Sequence, residues 1–115
     1  MVSVEEIRKT ILKIILNDVP RECFTTWDII VILQRKHRKM FLNILNKYGH
    51  GKYSFRNYVA TQLLTLEKRG YIVRSNTICD KRRGFSKKPR GLKWGSPCIA
   101  EWCKRKRTIL NYISG

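Results

Sequence analysis

A dense run of positive charge occupies residues 81–90, which read KRRGFSKKPR. Six of these ten side chains are cationic, and the glycine, serine and proline between them disfavour a helix. Cations on an irregular loop can neutralise the charges of a polyanion and release its counterions. The run therefore predicts a loop that binds a polyanion. Its cations are Lys81, Arg82, Arg83, Lys87, Lys88 and Arg90.

The charge of the whole chain has the same sign. The 115 residues include 25 Lys+Arg and 8 Asp+Glu, which gives a formal net charge of +17. Solubility alone needs a net charge of about 2 to 8 in a small domain, so this excess indicates an anionic partner. The length predicts a single domain over residues 1–115, and a hydrophobic content of 43% predicts a packed core.

Membrane and export signals are not found in the sequence. The apolar run from Trp27 to Leu33 is too short to span a bilayer and contains Asp28. The N-terminal residues do not show the basic and then apolar pattern of a signal peptide. We therefore expect no membrane partner and an intracellular protein, in the cytoplasm of the host or producing cell.

Catalytic chemistry is poorly supported. The two histidines, His37 and His50, have no acid near them in the sequence, and the carboxylates form no D-x-D pair for a metal-dependent nuclease. There is no phosphate-binding glycine loop. We expect no enzymatic activity, no catalytic residue, no cofactor, no metal and no small-molecule substrate.

The four cysteines allow more than one interpretation. Cys23, Cys79, Cys98 and Cys103 form no C-x-x-C pair. Free or buried thiols are one reading, and one or two disulfides are another, which inside cells is typical of hyperthermophiles. A zinc site that includes a histidine is a third reading, but the spacing of the ligands is wrong for it.

Local signals predict a mostly helical first half. Ser3 and Glu6 form a capping-box pattern at the start of a helix, and residues 23–25 read as a short strand. Thr25 or Thr26 can cap a helical region over residues 26–48, which is one long helix or two.

The second half combines helix and strand signals. The apolar spacing predicts a helix over residues 54–69, and Gly70 is placed for a left-handed C-cap with Tyr71 as its hydrophobic partner. Residues 71–75 read as a strand and residues 92–94 as its returning partner. The Ser-Pro pair at 96–97 predicts the start of a C-terminal helix over residues 97–113.

In this order the elements resemble the winged helix-turn-helix family of DNA-binding proteins. The resemblance is carried by residues 59–74, VATQLLTLEKRGYIVR, with their Leu-Glu-x-x-Gly-Tyr-Ile ending, and by residues 24–30, FTTWDII. It implies an α+β, mainly helical fold with a winged-helix core over 3–95 and a basic β-hairpin wing at about 71–95. Small regulators of this kind are encoded by viruses and plasmids of thermophilic archaea, and the isoleucine- and lysine-rich composition fits that origin.

Two features go beyond the usual family pattern. The stretch from Ile29 to Tyr53 is long for the family's middle helix, so either that helix is extended or an extra helix is inserted. The helix over 97–113 is similar to an addition seen in dimeric members, which implies a homodimer. The candidate dimer contacts are Trp102, Ile109 and Ile113.

The resemblance makes the helix at about 54–69 a recognition helix. On the face opposite its apolar stripe we expect Arg56, Asn57 and Thr61 to read bases, because arginine pairs well with guanine and asparagine with adenine. The DNA backbone would be contacted by the six wing cations and by Lys52, Tyr53, Ser54 and Lys68.

The sequence thus favours a sequence-specific, double-stranded-DNA-binding transcription regulator. The alternatives are a non-specific DNA-packaging or architectural protein, for which the net charge argues, and an RNA-binding winged helix that stacks bases on Tyr53, Tyr58 and Phe85. A protein-interaction module in a replication or transcription complex would not need six cations in one loop. Asn57 and Thr61 on the readable helix face favour the first hypothesis.

Overall fold

The computed structural model describes residues 3–48, 54–78, 99–105 and 108–110. They form a mostly helical α+β fold with a small antiparallel sheet, as the sequence predicts at this level. The elements are α1 (Val4–Asn17), β1 (Cys23–Thr25), α2 (Thr26–Lys36), α3 (Arg38–Tyr48), α4 (Ser54–Lys68), β2 (Ile72–Ile78) and β3 (Ile99–Lys104). Residues 108–110 are helical.

The first two helices begin where their capping signals lie. The Ser3 hydroxyl accepts a hydrogen bond from the Glu6 N–H at 3.2 Å. At α2, the Thr25 hydroxyl accepts from the Asp28 N–H at 3.3 Å, and the Asp28 carboxylate accepts from the Thr25 N–H at 2.8 Å. This reciprocal pair satisfies two backbone donors that the helix itself leaves open. Thr25, not Thr26, therefore caps α2.

Residues 26–48 form two helices that are separated at His37. The His37 N–H donates to the Leu33 carbonyl at 3.0 Å, which ends α2, and the His37 carbonyl accepts from the Phe41 N–H at 2.9 Å, which begins α3. The bend allows α3 to bury Phe41 and Ile44 against the rest of the core. Of the two possibilities that the sequence left open for residues 26–48, the structure therefore shows two helices.

The sheet has the strand order β1-β3-β2, and both pairings are antiparallel. β3 pairs with β1 through Phe24 and Trp102, and with β2 from Ile72 opposite Lys104 to Ile78 opposite Ile99. An irregularity between Arg74 and Asn76 interrupts the second register. β2 and β3 follow one another among the described elements, and residues 79–98 lie between them in the sequence.

The predicted C-terminal helix over 97–113 is wrong for residues 99–104, which form the central strand. The apolar spacing of Ile99 and Trp102 fits a helix, but a short apolar segment does not distinguish the two structures by periodicity. Pairing with a strand on each side, together with burial of both side chains, favours the strand. Residues 92–94, predicted as the returning strand, lie outside the described residues.

The proposed dimer contacts are corrected by the same finding. The relative exposures of Trp102 and Ile109 are 1% and 0%, and both belong to the core of the single chain. They are therefore not available as a surface for a second copy. Ile113 lies outside the described residues.

The lysine at the end of β3 links this strand to the first helix. Lys104 Nζ donates to the carbonyl of Ile15 at 3.1 Å and to that of Val19 at 2.8 Å. These carbonyls lie at the C-terminal end of α1, where a cation complements the helix dipole and satisfies open acceptors. The contact attaches the central strand to the first helix.

A disulfide joins Cys23 of β1 to Cys103 of β3, two residues 80 positions apart in the chain. Of the readings that the sequence left open, this one holds for these two cysteines. Cys79 and Cys98 lie outside the described residues. The bond connects the edge strand to the central strand where the two are already in register.

Replacing this disulfide should lower stability. In the variant Cys23→Ala/Cys103→Ala we expect the free energy of unfolding to fall by about 2–4 kcal/mol, because closure of so long a loop restricts the unfolded chain. Urea denaturation of the variant and of the oxidised wild type measures the difference. The same comparison in the presence of a reductant is the control, because reduction should bring the wild type close to the variant. An unchanged free energy in the variant without reductant would refute the structural role.

Candidate nucleic-acid interface

The orientation of α4 is determined by its buried face. Phe55, Val59, Leu63 and Leu66 are all buried in the core. The Phe55 ring packs against Phe41 of α3, with ring centroids 5.0 Å apart. Packing of this buried face against the core prevents the helix from rotating about its axis.

A polar contact fixes the same face to α1. Gln62 is buried, and its side-chain carbonyl accepts a hydrogen bond from Arg8 Nε at 2.8 Å. A buried polar group needs such a partner, because leaving it unsatisfied costs about 1–3 kcal/mol. This directional hydrogen bond therefore helps to fix the orientation of α4 relative to α1.

The C-terminal end of α4 leads directly into β2. Gly70 has φ +88°, the left-handed conformation that the sequence predicts there. Its N–H donates to the Glu67 carbonyl at 2.9 Å, and the Tyr71 N–H donates to the Leu66 carbonyl at 3.1 Å, which is the Schellman pattern. The Glu67 carboxylate accepts from the Arg74 N–H at 2.9 Å, so α4 and β2 are held together beyond the turn.

The outer face of α4 presents four exposed residues, Asn57, Thr61, Leu64 and Lys68. We call them the α4 stripe. At 100° per residue their spacing of four, three and four places them within about 60° of one another around the helix axis. They lie opposite the buried face. Glu67, the one acid in α4, does not belong to the stripe and is bonded to β2.

Several residues predicted for the interface are placed on this helix. Asn57 and Thr61 lie one turn apart on the stripe, and Lys68 lies at its end, as expected. Arg56 is half-buried on the flank of the helix, and Ser54 is its first residue. Lys52, Tyr53 and the six wing cations lie outside the described residues.

Leu64 is the member of the stripe that the sequence reading missed. It is 40% exposed. An apolar residue in a helix is ordinarily assigned to the core, and Leu64 stands beside the buried Leu63. Its distance of seven residues from Asn57 and three from Thr61 was the signal that places it on the outer face.

Thr61 of the α4 stripe and the neighbouring Thr65 both form hydrogen bonds within their own helix. The Thr61 hydroxyl donates to the Asn57 carbonyl at 2.8 Å, and the Thr65 hydroxyl donates to the Thr61 carbonyl at 3.1 Å. The hydroxyl proton of Thr61 is therefore already donated within α4. The γ-methyl group takes no part in this hydrogen bond. The exposed Asn57 side chain keeps an amide donor and acceptor, with no side-chain hydrogen bond to the described part of the chain.

Three carboxylates elsewhere in the described ranges are engaged in structural contacts. Asp18 pairs with Lys36 at 2.9 Å, Asp28 caps α2, and Glu101 accepts from the Ser75 hydroxyl at 2.7 Å. The formal net charge of +17 already counts every carboxylate of the chain as ionised. The positive excess of the chain therefore remains available to an outside anion.

An ionic cluster joins the N-terminal turn of α1 to the end of α4. Glu5 accepts from Arg8 Nη1 at 2.8 Å and from Arg69 Nη2 at 3.0 Å. The hydrogen bond from Arg69, followed by that from Arg8, lowers the pKa of Glu5 below the ordinary glutamate value. The ionised form is thus favoured by folding.

This cluster predicts a pH dependence of stability. Because the pKa of Glu5 is lower in the folded state, its contribution is present above the unfolded-state pKa and is lost as the pH falls through the folded-state value. Glu5→Gln should therefore lower the unfolding temperature slightly at neutral pH and flatten its decline in acid. Thermal unfolding over a pH series measures this, with Glu6→Gln as the control for charge at the same helix end. Coincident profiles for Glu5→Gln and wild type would contradict the assignment.

Among residues 3–48, 54–78, 99–105 and 108–110, no three His, Cys, Asp or Glu side chains are grouped so that they could hold a metal ion. No helix in the part of the chain that the structure describes is long and apolar enough to cross a membrane.

Comparison with known protein families, with curated proteins and with solved structures finds no match to this chain. The α4 stripe, the hairpin that follows it and the charge of the chain are therefore the basis for a functional assignment.

Proposed function

We propose that this protein binds double-stranded DNA in a sequence-specific manner and regulates transcription, as a member of the winged helix-turn-helix class. In this proposal α4 is the recognition helix, and the β2–β3 hairpin with residues 79–98 is the wing. The observation that carries the proposal is the α4 stripe. It is exposed, contains no carboxylate and lies on a helix whose opposite face is fixed in the core.

The dimensions of the stripe suit the major groove. An α-helix fits into a groove about 12 Å wide. From Asn57 to Leu64 the helix rises about 10 Å, which corresponds to roughly three base-pair steps. Asn57 can pair with adenine through its amide, Lys68 can reach a phosphate, and Arg56 on the flank can contact a base or the backbone.

The chain topology also supports the proposal. A helix, a short strand, further helices and a two-stranded hairpin follow one another, and the strand order is β1-β3-β2. α4 passes through Gly70 into β2, so a DNA helix that receives α4 would lie near the hairpin. α3 packs on α4 through Phe41 and Phe55 and would serve as its supporting helix.

The proposed setting is the interior of a cell with a hot environment. DNA regulation takes place inside cells, where disulfides are rare except in hyperthermophiles. The Cys23–Cys103 bond fits such a host, and a gene carried by an archaeal virus or plasmid would share that environment. A homodimer remains part of the expectation, but Trp102 and Ile109 do not contribute to it.

A non-specific DNA-binding protein is the second candidate, favoured by the net charge of +17. The two are distinguished by the ratio of specific to non-specific affinity, which is about 10³ or more for a sequence-specific protein. An RNA-binding role receives less support, because Tyr58, one of its three candidate stacking residues, is partly buried against the core.

The wing should contribute mainly through charge. We expect the fivefold variant Lys81→Ala, Arg82→Ala, Arg83→Ala, Lys87→Ala and Lys88→Ala to bind DNA more weakly, because each phosphate contact that is lost removes about 0.9 from the slope of log K against log salt. The slope is measured by titrations of labelled duplex at several salt concentrations.

A matched pair of variants controls for net charge in that experiment. Lys87→Ala/Lys88→Ala and Lys9→Ala/Lys13→Ala remove the same charge, the latter from exposed positions on α1. The wing pair should reduce the slope and the α1 pair should change it little. Equal effects of the two pairs would contradict a specific role for the wing.

Asn57 should contribute to specificity. For Asn57→Ala we expect a loss of about 1–3 kcal/mol on DNA that carries the preferred base and a small loss on other sequences. Competition with a panel of single-base variants of the site measures this. Asn43→Ala on α3 is the control for an exposed asparagine, and a uniform loss for Asn57→Ala would assign α4 to the DNA backbone instead.

A further inference from the structure

Given the proposed DNA-binding function, we infer that α4 recognises the C5-methyl group of thymine through Thr61 and Leu64, and that the preferred site contains A·T pairs beneath these residues. The inference goes beyond DNA binding because it specifies which chemical group of the base is read. It rests on the hydrogen bond of the Thr61 hydroxyl and on the exposure of the Leu64 side chain.

Thr61 presents a methyl group rather than a hydroxyl donor. Its hydroxyl proton is donated to the Asn57 carbonyl within the helix, at 2.8 Å. Threonine in a helix commonly forms this bond with the carbonyl four residues back, which restricts its side-chain rotation. The γ-methyl group of this exposed residue is then preorganised for an apolar contact.

Leu64 continues the apolar character of the same surface. A single exposed leucine needs no explanation by itself. Leu64, however, lies one turn from Thr61 on the stripe, and its side chain is 40% exposed, although the adjacent Leu63 is fully buried. Together the two residues form an apolar segment between the amide of Asn57 and the ammonium of Lys68.

This order of groups matches the edge of A·T pairs in the major groove. Such a pair presents the adenine N6 and N7 atoms, which suit an asparagine amide, and the thymine methyl group, which suits an apolar side chain. Guanine is read most often by arginine or lysine, and between Asn57 and Leu64 the stripe has no cation. The central part of α4 therefore matches A·T pairs better than G·C pairs.

The same contact would separate DNA from RNA. Uracil has no C5-methyl group, and the deep, narrow major groove of an RNA helix does not admit an α-helix. Thymine recognition by Thr61 and Leu64 would thus distinguish DNA from RNA by the base itself.

The test uses two random double-stranded DNA pools that differ in one chemical group. One pool contains thymine and the other contains deoxyuridine in its place. We expect the wild-type protein to enrich an A·T-containing motif from the thymine pool. The Kd should then rise about fourfold for each buried methyl group that deoxyuridine removes from that motif, the ratio that corresponds to burial of one methyl group.

Three variants locate the effect on the stripe. Thr61→Ser keeps the hydroxyl and removes the methyl group, so it should lose the preference for thymine over deoxyuridine at one position. Thr61→Val keeps methyl groups and removes the hydroxyl, so it should retain that preference. Leu64→Ala should lose it at a second position, whereas Leu42→Ala, an equally exposed leucine on α3, should retain it.

The outcomes distinguish this inference from the proposed function. An enriched motif that binds equally well with thymine and deoxyuridine would overturn the inference and leave specific DNA binding intact. Loss of the preference in Thr61→Val but not in Thr61→Ser would overturn it as well, because the hydroxyl would then be the reading group. Absence of any enriched motif would refute sequence-specific binding itself.

Discussion

The central position of β3 is the constraint on which the rest of the fold depends. This strand pairs with β1 on one side and with β2 on the other. Its Trp102 side chain is buried in the core, and Cys103 is bonded to Cys23. Lys104 donates a hydrogen bond to a carbonyl near the C-terminal end of α1. One short segment near the C-terminus thus connects the first helix, the first strand and the hairpin, and α2 packs on both β1 and β3.

The two faces of α4 follow from that arrangement. Burial of Phe55, Val59 and Leu66, with the Arg8–Gln62 hydrogen bond, fixes the inner face, so the outer stripe is presented in one orientation. The Schellman turn at Gly70 and the bond from the Arg74 N–H to Glu67 then fix the direction in which β2 leaves the helix. A recognition surface requires such rigidity, because precise placement of side chains determines how well base edges are read.

Local features of this fold were predictable from the sequence, and features that depend on distant partners were not. The caps at Ser3 and Thr25, the extent of α4 and the left-handed Gly70 arise from residues within one or two turns. β3 was predicted as helix because its stability comes from pairing with strands whose sequence positions are far away.

The candidate site shows the same division. Asn57, Thr61 and Lys68 were assigned to the outer face from helical spacing alone, and they are exposed there. Leu64 was missed because residue type suggested the core, although its spacing indicated the outer face. The hydrogen bond that engages the Thr61 hydroxyl requires side-chain coordinates, so the apolar presentation of Thr61 could not be predicted from the sequence.

The most direct test of the central claim is a selection at near-physiological salt from random double-stranded DNA, with a random RNA pool in parallel. Sequence-specific binding predicts an enriched DNA motif, and a homodimer would make that motif partly palindromic. Strong but salt-sensitive retention of all DNA without a motif would contradict the claim and identify a non-specific DNA-binding protein. Preferential retention of the RNA pool would contradict it in favour of RNA binding.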